Sequence, residues 1–168
     1  SMGFTPLAGV PMGTRSGDID AAAVEFLCRK KGMNIHDGLT YLNKKCGMLG
    51  VSGVSSDYRD LTAAAKEGNY RAQLALNMFS YACKKYVGSY MAALGGLDVI
   101  VFTAGVGENT PHIRASILKD MEFFGIEIDE AKNNYKNDGA IHEISKDSSR
   151  VKVLVIPTNE EHVIARET

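Results

Sequence analysis

Four short segments of this chain carry residue types that suit the binding and transfer of phosphate groups. The first is Met12–Asp18, where Arg15 stands among small residues. Arginine suits phosphoryl transfer because its planar guanidinium keeps its charge and can donate to two phosphate oxygens at once. A single arginine in a loop is also common on protein surfaces, so Arg15 alone leaves a structural role open.

The second segment, Ser55–Asp60, combines hydroxyl, carboxylate, aromatic and guanidinium groups at a predicted helix start. Asp57 can accept a hydrogen bond from a ribose hydroxyl, and Arg59 can lie along an adenine ring or reach a phosphate. The alternative is that Asp57 simply caps the helix and forms a surface ion pair with Arg59.

The third segment is an apolar run, residues 97–102, followed by Gly105 and Gly107. We predict a strand, a glycine turn and then a helix with Thr110 as N-cap and Pro111 at its first position. Such a turn exposes backbone N–H groups that no β-carbon shields, which favours a nucleotide or phosphate site. Many α/β proteins turn on glycine without binding a ligand, so this segment alone does not decide.

The fourth segment follows a predicted strand over residues 151–156, where Asn159, Glu160 and Glu161 open a final helix. One of these carboxylates can hold Mg²⁺, directly or through water. The alternative is an acidic first turn that only stabilises the helix dipole.

Several catalytic patterns are missing from the sequence. Residues 105–110 lack the third glycine of a dinucleotide fingerprint, and no Walker A loop occurs, which disfavours a Rossmann dehydrogenase and a P-loop enzyme. Neither a Ser–His–Asp order nor a Cys–His pair stands out. None of the four histidines lies in the sequence beside residues with which it would form a catalytic group.

Composition narrows the partners. The formal net charge of -1 over 168 residues gives no support to a nucleic-acid partner. No apolar run approaches the roughly 20 residues that span a bilayer, and the first residues are not a signal peptide. The three cysteines follow no metal-ligand spacing and fit a reducing cytoplasm.

Apolar periodicity and capping residues outline the elements that must position these segments. We predict helices over residues 21–28, 35–45, 57–68 and 70–94, with Asp18 or Asp20 capping the first and Gly32 and Gly47 ending the first two. Strands are predicted over 97–102, 140–145 and 151–156. The pattern predicts an α/β domain with a central sheet covered on both faces, and the 70–94 helix as core or a subunit interface.

The four segments together resemble the acetate kinase family of the sugar kinase, heat-shock-70 and actin superfamily. The resemblance rests on long motifs in family order along the whole chain: residues 1–7, 12–20, 43–45, 53–60, 102–109, 156–161 and 164–166. It implies a ribonuclease-H-like domain with a central mixed sheet flanked by helices. It also implies that residues 1–168 are a single C-terminal nucleotide-binding and dimerisation domain, without the N-terminal catalytic domain.

The resemblance assigns roles where residues match the family motifs. Arg15 resembles the arginine that stabilises the phosphoryl group in flight, Pro6 lines the acetate methyl pocket, and Glu160 is the Mg²⁺ ligand, with Glu161 a weaker choice and Mn²⁺ an alternative ion. The remaining matches bind ATP or ADP: Asp57, Tyr58, Arg59, Gly105, Val106, Gly107, Glu108 and Asn109.

The activity implied for the intact homodimeric enzyme is reversible transfer of the ATP γ-phosphoryl group to acetate, giving acetyl phosphate and ADP. We expect the 168-residue chain by itself to be inactive, because it contains neither the family's first phosphate-binding loop, which the N-terminal domain would carry, nor the second, which would lie shortly before Ser1. Two alternatives stay open. One is a kinase for propionate or another short-chain acid, and the other is a non-catalytic nucleotide-binding or dimerisation module.

Overall fold

A computed structural model describes residues 2–158 and Arg166. The chain divides into two compact units, residues 1–86 and 87–168. The assignment of residues 1–168 to a single domain of a larger enzyme therefore stays a prediction.

The described part of the first unit is helical. Its helices are α1 (Ala21–Lys31), α2 (Ile35–Lys44), α3 (Gly47–Ser52), α4 (Tyr58–Lys66) and α5 (Tyr70–Leu94), the last of which continues into the second unit. The Asp20 side chain caps α1 by accepting from the Ala22 N–H at 2.8 Å, and Gly32 ends it with φ 64°. Asn34 caps α2 by accepting from the Asp37 N–H at 2.9 Å. These caps confirm the helix starts read from the sequence.

The sequence predicted that Gly47 ends the second helix, and the structure contradicts this prediction. Helix α2 stops at Lys44, and Gly47 begins α3 in the left-handed region, with φ 59°. The glycine- and serine-rich residues that follow therefore include a helix of their own. The prediction was wrong because a glycine with positive φ can begin an element as well as end one, and only the surrounding backbone decides which.

Apolar side chains from four of these helices form the core of the first unit. Leu42 of α2, Met48 of α3 and Leu61 of α4 are almost completely buried, as are Ala72 and Ala75 of α5. Removing any of the larger side chains would open a cavity in this core.

The second unit carries the sheet. Its strands are β1 (Val99–Phe102), β2 (His142–Glu143) and β3 (Lys152–Val155), and its helical elements are α6 (Ala104–Asn109), α7 (Pro111–Leu118), a 3₁₀ turn (Glu122–Phe124) and α8 (Glu130–Asn133). The strand order is β1-β3-β2, with β1 parallel and β2 antiparallel to β3. This mixed sheet with helices confirms the predicted α/β class.

The two faces of the sheet differ in burial. Val153 and Val155 of β3 are buried, whereas Val99 and Val101 of β1 are 41% and 48% exposed. Among the described residues, β1 is therefore covered on one face more than on the other, which departs from the expected coverage of both faces.

Of the helices in these same residues, none is long and apolar enough to cross a membrane.

The predicted glycine turn is also corrected. After the extended Thr103, Ala104 takes φ 59°, and residues 104–109 form the short helix α6 instead of an open turn. Pro111 stands at the start of α7 as predicted, but the Thr110 side chain does not cap that helix. Its hydroxyl donates back to the Val106 carbonyl, because α6 ends there and its carbonyl oxygens need partners.

Candidate functional site

Arg15 lies in a closed loop, residues 9–18, whose ends are joined by two hydrogen bonds. The Asp18 N–H donates to the Gly9 carbonyl at 2.8 Å, and the Gly9 N–H donates to the Asp18 carboxylate at 2.8 Å. Inside the loop, the Met12 N–H donates to the Arg15 carbonyl at 3.0 Å. The backbone of Arg15 is therefore fixed on both sides.

Residues of helices α2 and α3 are hydrogen-bonded to this loop. The Thr14 hydroxyl donates to the Asn43 carbonyl at 2.9 Å, and the Met48 N–H donates to the Met12 carbonyl at 2.9 Å. A β-carbon at Gly47 would lie 2.0 Å from the Met12 carbonyl oxygen and 2.6 Å from that of Arg15. Glycine is thus required at position 47 both for its positive φ and for the close approach of the loop.

The Arg15 side chain is half-buried and only lightly held. Its guanidinium donates to the Met12 sulfur at 3.5 Å. A thioether is a weak acceptor, so this contact leaves most of the five guanidinium donors for an anionic ligand. A fixed backbone with a lightly held guanidinium is the arrangement that phosphate recognition by arginine needs.

Asp18 connects the loop to helix α5. Its carboxylate accepts from the Tyr86 hydroxyl at 2.5 Å in addition to the Gly9 N–H. These two donors, Tyr86 first, lower the pKa of Asp18 below its ordinary value. The sequence offered Asp18 as a possible helix cap, but the structure uses it to close the loop.

Asp57 and Arg59 form the cap and ion pair that the sequence left as one alternative. The Asp57 carboxylate accepts from the Arg59 backbone N–H at 2.8 Å and from the Arg59 guanidinium, with the shorter Nη2 contact at 2.6 Å. The Arg59 side chain hydrogen bonds lower the pKa of Asp57 to about 2. The Arg59 side chain is 88% exposed, so it can still reach a ligand.

Tyr58 belongs to the interior side of the same segment. Its ring meets that of Phe79 edge-on, with centroids 4.9 Å apart. Burial raises the pKa of the Tyr58 hydroxyl well above its ordinary value. Tyr58 therefore anchors the start of α4, while Asp57 and Arg59 stay at the surface.

The structure brings the Arg15 loop against the Asp57 segment. A β-carbon on Gly13 would lie 2.9 Å from the carbonyl oxygen of Ser56, so the two backbones are in close contact. Gly13 is two residues before Arg15, and Ser56 directly precedes Asp57. Two of the predicted segments are thus neighbours within the first unit, through residues 13 and 56, which are 43 positions apart in the chain.

In the second unit, the glycines of α6 differ in what they do. A β-carbon at Gly107 would lie 3.2 Å from the backbone of Phe102 at the end of β1, whereas one at Gly105 would meet nothing within 4 Å. Gly107 is therefore needed for close packing of α6 on β1. Gly105 is exposed and open, so it is the glycine that suits the approach of a ligand.

The polar side chains at the end of α6 are engaged with neighbouring loops. The Glu108 carboxylate accepts from the Thr158 N–H at 2.8 Å, and the Thr158 hydroxyl accepts from the Ala104 N–H at 2.9 Å. The Asn109 amide donates to the Gly105 carbonyl at 3.1 Å. Val106 is half-buried. The chain after β3 is thereby tied to α6 at Thr158.

Arg114, which the sequence analysis did not identify, is a buried side chain that donates hydrogen bonds to backbone carbonyls of α6. It is 1% exposed, and Nη1 donates to the carbonyls of Gly107 and Glu108 at 2.7 and 2.9 Å. Its other two hydrogen bonds go to Asn133, and its guanidinium lies 5.3 Å from the Tyr135 ring centroid. Burial lowers the pKa of this guanidinium. Only the tertiary fold shows that an arginine on a short helix is an interior group.

The remaining predicted residues are Pro6, Glu160 and Glu161. Pro6 is exposed in a turn closed by the Ala8 N–H, which donates to the Thr5 carbonyl at 3.3 Å. Glu160, Glu161 and the helix that Asn159 was predicted to open lie outside the described residues. Within residues 2–158, no group of three His, Cys, Asp or Glu side chains is arranged to hold a metal ion.

This mixed α/β fold, with an arginine loop in the first unit and a glycine-bearing strand-to-helix segment in the second, is shared with kinases of known structure. The Acetokinase family model matches residues 1–166, and the chain belongs to that family.

Relatives and solved structures agree with this assignment. The chain is 58% identical over its whole length to the acetate kinase of Acetivibrio thermocellus. It superposes on the crystal structure of Porphyromonas gingivalis acetate kinase with a TM-score of 0.94 at 50% identity, over 100% of this chain and 42% of that one. A propionate kinase from Francisella tularensis gives a TM-score of 0.90 at 40% identity, again over 100% and 42%. The chain spans 42% of the curated relative's length.

Proposed function

We propose that this chain is the C-terminal, nucleotide-binding part of an acetate kinase. The whole enzyme would transfer the γ-phosphoryl group of ATP to acetate, giving acetyl phosphate and ADP, and would catalyse the reverse reaction. The observation that carries the proposal is the family match over residues 1–166. The same reaction requires the further part of the enzyme that the chain's relatives contain.

The chemistry is an in-line displacement at phosphorus. A carboxylate oxygen of acetate forms the new P–O bond while the bond to the ADP oxygen breaks, and the electron pair leaves with ADP. Acetate is ionised near neutral pH, so no general base has to remove a proton. Catalysis then consists mainly of positioning and of stabilising charge on the transferring group.

Arg15 is proposed to supply that charge stabilisation. Its guanidinium would donate to the equatorial oxygens of the phosphoryl group during transfer. The support is the contrast between its fixed backbone, held at Met12 and above Gly47, and its weak side-chain contact with the Met12 sulfur. A guanidinium on a rigid loop loses little conformational freedom when it engages the phosphate.

Two segments are proposed to contact the nucleotide, each described within its own unit: Asp57–Arg59 in the first and residues 105–109 in the second. The exposed Arg59 guanidinium would stack on the adenine or meet a phosphate, and Asp57 would keep it oriented through their ion pair. The open backbone at Gly105 would receive the nucleoside. Tyr58 would act indirectly, since its ring packs on Phe79.

The metal ion of the reaction is proposed to be Mg²⁺, with Mn²⁺ as a substitute. Glu160 would hold it, either directly or through water, and the ion would neutralise charge on the nucleotide phosphates. Glu160 itself lies outside the described residues, among which no group of three His, Cys, Asp or Glu side chains could hold a metal ion. The proposal for Glu160 rests on its match to the family motif.

The experiment that tests the function is a paired assay. The 168-residue chain and the longest reading frame that contains it are each incubated with ATP, Mg²⁺ and acetate, and acetyl phosphate is trapped as its hydroxamate. We expect product from the longer chain and none from the 168-residue chain. Absence of product from a folded longer chain would contradict the proposal, and product from the short chain would contradict its inactivity.

Propionate is the alternative acceptor, favoured by the likeness to the Francisella propionate kinase. One methylene in an apolar pocket changes selectivity by only about 1–3 kcal/mol, so kcat/KM must be compared for the two acids. Pro6 is proposed to line this pocket. A Pro6→Ala variant of the longer chain would shift the acetate-to-propionate ratio if that placement is right, and leave it unaltered if not.

Two further properties complete the proposal. We propose a cytoplasmic protein, supported by free cysteines at positions 28, 46 and 83, and a homodimer that uses part of α5, whose Tyr81 and Leu94 are exposed. A monomer mass by light scattering at tens of micromolar would contradict the dimer. Calorimetry separates a working nucleotide site, which binds ADP and loses affinity in Arg59→Ala, from a purely structural or dimerisation module, which shows neither.

A further inference from the structure

Three hydrogen bonds between amide groups connect the loop before β2 to α6. The Gly139 N–H donates to Asn137 Oδ1 at 3.2 Å, Asn137 Nδ2 donates to Asn109 Oδ1 at 2.9 Å, and Asn109 Nδ2 donates to the Gly105 carbonyl at 3.1 Å. We call this chain of residues the amide relay. It links the loop before β2 to both ends of the predicted nucleotide segment.

The direction of the amide relay is dictated by its two ends. A backbone N–H can only donate, so Gly139 requires the oxygen of Asn137. Asn137 must then turn its NH₂ group to Asn109, whose side-chain oxygen accepts the hydrogen bond. At the other end the Gly105 carbonyl can only accept, so it requires the NH₂ group of Asn109. Reversing either side-chain amide would set like groups against each other.

The loop that carries Asn137 is itself anchored. The Tyr135 hydroxyl donates to the Glu108 carbonyl at 3.1 Å, and its ring stacks on that of His142 with centroids 3.9 Å apart. Gly139 has φ 79°, a conformation that glycine adopts without strain. Asn137 is thus held from both sides while its amide reaches α6.

We propose that Asn137 is a positioning residue for ligand binding at α6: by occupying the oxygen of Asn109 it makes Asn109 a hydrogen-bond donor toward the ligand. One N–H of Asn109 is used by Gly105, and the second is left for an acceptor atom. The inference rests on the proposed nucleotide-binding role of residues 105–109. The acceptor belongs either to a nucleoside, as a ring nitrogen or ribose oxygen, or to a phosphate.

The test uses Asn137→Asp, Asn137→Ala and the matched control Asn134→Asp in the 168-residue chain. Aspartate at 137 can only accept, so the Asn109 oxygen loses its donor there, and the new carboxylate competes with the Gly105 carbonyl for the Asn109 NH₂ group. Asn134 lies on the same loop and its amide donates to the Glu130 carbonyl at 2.8 Å, so its substitution makes the same charge change without touching the relay.

We expect the Kd for ADP, measured by calorimetry, to rise about tenfold in Asn137→Asp and about threefold in Asn137→Ala, since one hydrogen bond is at stake. Asn134→Asp should stay within about twofold of the unsubstituted chain by the same measure of one bond. Equal losses in Asn137→Asp and Asn137→Ala would show that Asn137 merely supports the loop and would overturn the proposal, as would equal losses in the two aspartate variants.

Pyrophosphate identifies the acceptor. If the Asn137→Asp loss is seen with ADP but not with pyrophosphate, the acceptor is on the nucleoside; if it is seen with both, the acceptor is a phosphate oxygen. Either result supports the proposal.

The free protein separates this inference from the proposed function. In ¹⁵N spectra without ligand, the side-chain NH₂ resonances of Asn109 should shift in Asn137→Asp and stay in place in Asn134→Asp. If the unsubstituted chain binds no ADP, its nucleotide-binding role fails, and this spectrum alone decides the relay. Unshifted Asn109 resonances in Asn137→Asp would overturn the relay whether or not ADP binds.

Discussion

Arg114 and Asn133 share two hydrogen bonds in the interior of the second unit: Arg114 Nε donates to Asn133 Oδ1 at 2.8 Å, and Arg114 Nη2 donates to the Asn133 carbonyl at 2.7 Å. Asn133 in turn donates to the Pro111 carbonyl at 2.9 Å. All of the oxygens that Arg114 contacts are neutral, so the buried charge is stabilised by dipoles at the end of α6 and of α8. The pair therefore joins α6, α7 and α8.

We expect Arg114→Met to lower the free energy of unfolding by about 3 kcal/mol or more, because the oxygens of Gly107 and Asn133 would lose the Arg114 donors and the Glu108 carbonyl would keep only the Tyr135 hydroxyl. Urea unfolding measures the change. The control is Arg150→Met, which removes an exposed arginine whose guanidinium donates to the Phe124 carbonyl at 2.7 Å. A loss in Arg114→Met no larger than in the control would contradict the interior role.

Gly47→Ala should destabilise the first unit more than Gly53→Ala does. Both glycines have positive φ, 59° and 68°, but only the β-carbon at 47 would meet backbone atoms. The left-handed conformation costs alanine about 1–2 kcal/mol at either site, and the clash with Met12 and Arg15 adds to it at 47. Urea unfolding of both variants isolates the clash, and equal losses would show that the loop relaxes freely.

The carboxyl group of Asp57 should titrate at about 2. Its pKa is lowered in the folded state, so the stabilisation from the Arg59 contacts is present above the ordinary pKa of about 4 and is lost as the pH falls toward 2. Carbon-13 NMR of the carboxyl groups reads this directly. In Arg59→Ala the pKa should rise, although not fully, because the N–H of residue 59 still donates to Asp57. An Arg71→Ala control should leave it unmoved.

Replacing Glu108 by alanine should speed hydrogen exchange at the Thr158 N–H, which donates to the Glu108 carboxylate. A hydrogen bond of this kind contributes about 0.5–1.5 kcal/mol, equivalent to a few-fold to tenfold faster exchange. Glutamine keeps an acceptor oxygen at the same distance along the side chain, so Glu108→Gln should exchange nearly as the unsubstituted chain. Identical exchange in the alanine and glutamine variants would show that the carboxylate does not hold Thr158.

Local sequence signals predicted the elements well where a single residue type settles the matter. Asp20 and Asn34 cap their helices, Gly32 ends α1, and the 70–94 periodicity is one helix, because capping and amphipathic spacing depend on neighbours a few residues away. The same signals failed at Gly47 and at residues 104–109. There the backbone follows distant contacts, of Gly47 with Met12 and of Ala104 with Thr158.

The site divides in the same way. Arg15, Asp57, Arg59 and Gly105 were proposed from their residue types, because guanidinium, carboxylate and glycine have intrinsic chemistry that is visible in a motif, and their roles stay predictions. Arg114 and Asn137 were missed, because neither lies in a phosphate-type motif and their importance comes from partners 19 to 28 residues away.

The sequence by itself determined the mixed α/β class and the family, since hydrophobic patterning and motif order are properties of the chain alone. The tertiary structure decided which polar side chains are already hydrogen-bonded within the protein and which can still bind a ligand. It turned Glu108 toward Thr158, Asp18 toward Tyr86 and the oxygen of Asn109 toward Asn137. These choices follow from the requirement that polar groups find partners as the chain packs, and those partners are distant in sequence.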